Sequence, residues 1–117
     1  MKIILIADSD LKRTKGLMFH DPLEIDECAF FTFPREGKHS FWNNNVSFPI
    51  SLLFCNKDKK IIDIKDLKEQ QKKSISPSSY DVKYVIETHI DAPKKYDFKK
   101  GDILNILIDK KEVLKKL

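Results

Sequence analysis

Ser40-Phe41-Trp42-Asn43-Asn44-Asn45-Val46-Ser47-Phe48-Pro49-Ile50-Ser51-Leu52-Leu53-Phe54 is the stretch whose reading decides the fold. It holds the single Trp of the chain, three consecutive Asn and a Pro, and then becomes an apolar run. Ser40 to Trp42 reads as the start of a strand that the Asn triplet interrupts, because Asn side chains compete for nearby backbone groups. Pro49 has no N–H to give to a ladder, which places this region at a sheet edge or in a crossover. Ile50 to Cys55 is an apolar strand, Asn56 to Lys59 a hairpin loop and Lys60 to Ile64 the return strand.

Working outward, Ile3 to Ala7 reads as a short buried strand. Ser9 is placed to cap a helix over Asp10 to Lys15, with Asp10 at its positive end and Gly16 to stop it. Ala29 to Phe33 is an aromatic, β-branched strand, and Pro34 to Gly37 carries turn chemistry. Asp66 to Ser79 is a polar connection, and Val82 to Glu87 a strand. Asp91 to Phe98 holds a short helix with Pro93 near its start, and Lys100-Gly101-Asp102 turns into a strand from Ile103 to Ile108. The Lys-rich stretch 109–117 is expected to be a tail or a short terminal helix. Short strands, many turns and two or three short peripheral helices predict a mainly β, compact sandwich or barrel-like domain, α+β only at its margins.

The chain has 117 residues, which suits one domain over 1–117 with a core that needs no staple. No apolar run approaches the ~20 residues of a membrane span. Ile3 to Ala7 is too short for the apolar part of a leader, so a cytoplasmic location is expected. Of 22 basic residues only Arg13 and Arg35 are arginines. Lysines are hydrated point charges without the planar fork that reads bases and phosphates, so weak, salt-sensitive nucleic-acid contact is the most this surface predicts. Cys28 and Cys55 form no metal-binding spacing; they read as buried thiols unless their strands are adjacent and the compartment oxidising. His20, His39 and His89 have no metal-ligand spacing, and three Gly in the chain cannot build a phosphate-cradling loop. No metal and no cofactor is expected.

Four blocks follow one another at characteristic spacing: Arg13-x-x-Gly16-Leu17-Met18-Phe19; Glu27-x-x-Phe30-Phe31-x-Phe33-Pro34; Ser40-Phe41-Trp42-x-x-Asn45-x-x-x-Pro49-Ile50-x-x-x-Phe54; and Pro77 with Lys83-Tyr84-Val85-Ile86-Glu87 and Lys100-Gly101-Asp102. In this order the chain resembles the family catalogued as domain of unknown function 192, from about Ile3 to Ile108. The resemblance implies a small β-sandwich or barrel-like domain and supplies no catalytic residues. The family run usually reads Phe-Trp-Met-Lys-Asn-Thr and then Pro-Leu-Asp. Here Asn43 stands for the Met, Val46 for the Thr and Ser51 for the Asp. The resemblance therefore implies a retained scaffold with an altered site.

Four residues are candidates for a site: Arg13, Trp42, Asn45 and Glu87. An indole face and a carboxamide suit a planar or sugar-like ligand; equally, Trp42 could anchor the core while Asn45 bonds to backbone. Arg13 suits a fork with an anionic ligand or with Glu27 or Glu87. The leading expectation is a non-enzymatic interaction module, presenting the Trp42–Pro49 edge and a Lys-rich surface to a protein partner within a cellular or viral assembly. The alternative is a small-molecule-binding enzyme with a pocket near Trp42 and Asn45, using Arg13 and Glu87.

Overall fold

The computed structural model describes residues 1–115. The elements are β1 Lys2–Ala7, α1 Asp10–Lys15, β2 Glu27–Gly37, β3 Ile50–Cys55, β4 Ile61–Leu67, β5 Val82–His89, α2 Ala92–Lys95, β6 Leu104–Leu107 and β7 Glu112–Lys115. The seven strands form one sheet in the order β4-β3-β5-β2-β1-β7-β6. The sheet curls into a half-barrel, and its two edges touch at one end. There the Ile61 N–H donates to Asp102 O (2.8 Å), the Gly101 N–H to Ile61 O (2.8 Å) and the Leu104 N–H to Lys59 O (2.9 Å).

Alternation of side chains along each strand divides the core in two. Ile50, Leu52 and Phe54 of β3 join Ala29, Phe31 and Val85 on one face. Leu53 and Cys55 join Cys28, Phe30 and Ile86 on the other. The first face is covered by Leu17, Leu23, Val46 and Phe48, which come from connections and not from strands. These connections form the candidate site.

The helix α1 spans the expected residues. The Ser9 side chain accepts from the Lys12 N–H at 3.2 Å, and the Gly16 N–H closes the C-terminus on Lys12 O at 2.8 Å. Gly16 has φ +45° and ψ −127°, a region open to glycine and strained for other residues. The β1–α1–β2 segment makes a parallel pair, the one such pair among the described residues, with Ile6 opposite Phe30.

Four expectations are corrected. Pro34 to Gly37 does not turn: β2 runs on to Gly37, which pairs with Val82, and the register shifts between Thr32 and Gly37, where Pro34 can sit without a ladder N–H. Ser40 to Trp42 starts no strand; Phe41 makes a single bridge to Ile75. The segment is a crossover from β2 to β3, which lie on either side of β5. It is not a sheet edge; the edges are β4 and β6. Within the tail, 112–115 is a strand and not a helix, because Val113 is buried and the backbone finds β6 on one side and Met1 to Ile3 on the other. Residues 116–117 lie outside the described residues.

Cys28 of β2 and Cys55 of β3 are free thiols on strands separated by β5. Burial pushes both up to about 12, so neither is a reactive thiolate near neutrality.

Candidate functional site

A cavity of about 450 Å³ opens on the first face of the sheet. That volume falls within the usual range for small-ligand pockets. One wall is the chain from Arg13 to Met18, at the end of α1 and just beyond it; the other is the crossover from Ser40 to Val46. The sheet contributes Phe31 and Phe33 of β2 and Glu87 of β5.

Glu87 sits on the interior strand β5, opposite Ala29 on one side and Leu52 on the other. Its side chain is on the apolar face that carries Val85, Phe31 and Leu52, and the residue is only 4% exposed. Among the described residues its carboxyl has no ion-pair partner, and burial pushes it up to about 8. Near neutrality Glu87 is therefore a neutral acid that can both donate and accept a hydrogen bond.

Trp42 stands at the mouth. It is 46% exposed, so it does not anchor the core. Phe41, just before it, does: its ring meets Phe31 edge-on at 5.1 Å and Phe54 at 6.1 Å. The Asn triplet is resolved residue by residue. Asn43 is buried, lines the cavity, and donates both amide hydrogens, to Phe48 O and Lys68 O at 2.9 Å each. Those two carbonyls fix which end is nitrogen, and Oδ1 is left without a partner. Asn45 lies outside the cavity lining. It is exposed with φ +60°, and its carbonyl receives the Phe19 N–H at 2.9 Å. Asn commonly fills such left-handed positions.

Arg13 lines the cavity but does not meet Glu27 or Glu87. Nη1 donates to Thr32 O and Nη2 to Asp10 Oδ1, each at 2.7 Å. The guanidinium also lies 5.3 Å from the Phe33 ring centroid. Asp10 is the i,i+3 neighbour of Arg13 on α1, a spacing at which opposite charges meet on a helix surface, and its carboxylate is fully exposed. Phe33 stacks on His39 with centroids 3.7 Å apart. The structure thus brings Arg13, Trp42 and Glu87 to one cavity and leaves Asn45 out. It adds Asn43, Phe33 and the Gly16 to Met18 turn.

A model of the DUF192 family, described as "Uncharacterized ACR, COG1430", matches residues 3–106. The chain belongs to the DUF192 family. A Novosphingobium aromaticivorans protein of unknown function shares its fold, with a TM-score of 0.78 at 20% identity, over 85% of this chain and 71% of that one. A Sinorhizobium meliloti protein described as a "putative transcription regulator" superposes with a TM-score of 0.80 at 25% identity, over 86% and 79%. No curated protein matches the chain.

Two departures from the usual DUF192 run, Asn43 and Val46, lie in the cavity wall. The third does not. Ser51 alternates with Leu52 and faces the second core, where its hydroxyl is buried without a partner. Among the described residues no group of three or more His, Cys, Asp or Glu is placed to hold a metal ion. Among the described residues no helix is long and apolar enough to cross a membrane.

Proposed function

We propose that this DUF192 domain is a small-molecule-binding module whose ligand enters past Trp42 and reaches Glu87. One observation carries the reading: a carboxyl without a protein partner, on a residue almost fully buried on an interior strand, faces a cavity large enough for a ligand. Such a group is left to pair with water or with a ligand in that cavity. The geometry favours this over the interaction-module expectation, since the Trp42–Pro49 segment wraps the cavity and offers no strand edge. The regulator description of the Sinorhizobium meliloti neighbour is compatible with a ligand-sensing role.

The chain has one Trp, at the cavity mouth, so its emission reports occupancy directly. In a fragment-library titration, ligands of the cavity change Trp42 emission in the wild-type protein and fail to do so in Glu87→Leu, whose melting temperature is at least that of the wild type. Emission changes that are the same in Glu87→Leu would overturn the reading.

A second reading, docking of a protein partner, rests on Leu11, Phe19 and Trp42, which are large, apolar and exposed. Phe19 is held there at φ +61° by its bond to Asn45 O. It predicts a stable complex that Phe19→Ser disrupts in a pull-down while fragment binding persists.

A further inference from the structure

Granted the ligand-binding reading, the residues in the cavity also narrow the chemistry of what it takes. We propose that the ligand is a neutral planar amide or lactam, stacked against the aromatic wall, that pairs with the Glu87 carboxyl.

Two observations converge on this class. The lining includes the rings of Phe41 and Trp42, which suit a planar ligand, whereas the Phe33 ring is already stacked by His39 and faced by Arg13. Glu87 is buried among apolar side chains with no cation against it, the setting of a protonated carboxyl. A protonated carboxyl and a cis-type amide form two antiparallel hydrogen bonds, O–H to the amide oxygen and N–H to the acid oxygen.

The alternatives fit less well. A carboxylate ligand would meet an Arg13 whose charge is already balanced by Asp10; three of its five N–H donors are uncommitted, so the benzoate arm of the test decides this class. A cationic ligand would share the cavity with Arg13 and Lys15, the only other charged residues lining it. From the remaining surroundings of Glu87, β2 contributes Ala29, Phe31 and Phe33, β3 contributes Leu52, and the crossover from Ser40 to Val46 has no ionisable residue. His39 stacks on Phe33 outside the cavity lining.

Benzamide, benzamidine and benzoate have one shape and three charges, and they separate these cases. Each is titrated into the ¹⁵N-labelled full chain at pH 6.5 and pH 9.5. Benzamide is expected to bind with a dissociation constant on the order of 1 mM, typical of so small a probe. Its affinity should fall on the order of thirtyfold at the higher pH, as a carboxyl near 8 loses the proton it must donate. Glu87→Gln keeps a donor and an acceptor at every pH, so its benzamide affinity should not change between the two values. A pH dependence that persists in Glu87→Gln overturns the assignment. Preferential binding of benzamidine or benzoate to the same amides overturns the ligand class and leaves the binding reading standing. Silence from all three probes overturns the class as well, and the binding reading then fails only if the wider fragment titration is also silent.

Discussion

Glu87 sets the chemistry of this domain, and its environment makes a thermodynamic demand that can be measured. The group titrates near 8 in the folded chain and near its ordinary 4.5 when unfolded. Between those values the folded state holds a proton that the unfolded state has released. Stability from this group is therefore full below about pH 4.5 and is lost as pH rises toward 8. The loss is on the order of 4 kcal/mol across that window. Urea unfolding from pH 5 to pH 9 should show the wild type weakening and Glu87→Gln nearly flat, with the variant the more stable at pH 9. Gly16 makes a second demand at the same scale. A Cβ there would stand 3.4 Å from the Phe31 ring, which is tolerable, but the backbone at φ +45° is not. Gly16→Ala should cost about 1–3 kcal/mol in chemical unfolding, through backbone strain and not through the contact. Trp42→Ala, by contrast, removes a half-exposed ring and should leave the melting temperature within a degree or two while weakening ligand binding.

The elements that were legible were those whose signals are local. Helix α1 was readable because Ser9 caps it and Gly16 stops it, and β3 because six successive residues are fit for burial on both faces. What could not be read was whatever depended on a distant partner. Pro34 looked like a turn because its neighbour in β5, some fifty residues on, is invisible to local pattern. The strand β7 looked helical because its Lys-rich surface hides a short alternation that only β6 and β1 reward. The site was legible to the level of residue type: Arg13, Trp42 and Glu87 do share the cavity. Which of three consecutive Asn turns inward was not, since Asn43 is selected by two carbonyls, Phe48 O and Lys68 O, one of them on a separate strand's end. The connection from Leu67 to Val82 is tied down in a similar way. Asp63 of β4, itself buried, accepts from the Ser78 N–H and the Ile64 N–H at 2.9 Å each, with Lys100 3.5 Å away. Burial alone would raise this carboxyl; the bonds from Ser78 and Ile64 and the Lys100 charge hold it below its usual range. Asp63→Ala should cost about 2–3 kcal/mol and speed hydrogen exchange at the Ser78 amide before that of the sheet.

At the scale of the whole molecule, Asp63 and Glu87 pull in opposite directions. The Asp63 contribution is present above about pH 3.8 and fades as pH falls through its lowered value; the Glu87 contribution fades as pH rises. The domain should accordingly be most stable on the acid side of neutrality, at about pH 4–6, although its sequence pI is 9.0. This follows from building a half-barrel around a face that is closed by connections and not by a second sheet. The connections leave a cavity, and the interior strand β5 sets a carboxyl in it. Amide chemical-shift mapping of the ¹⁵N-labelled chain with hits from the fragment titration tests that claim most directly. Shifts gathered on Gly16 to Met18, Trp42 to Asn44 and Glu87 are the predicted result. Shifts gathered instead on the β4 or β6 edges, or on the opposite face around Phe30 and Tyr84, would contradict it.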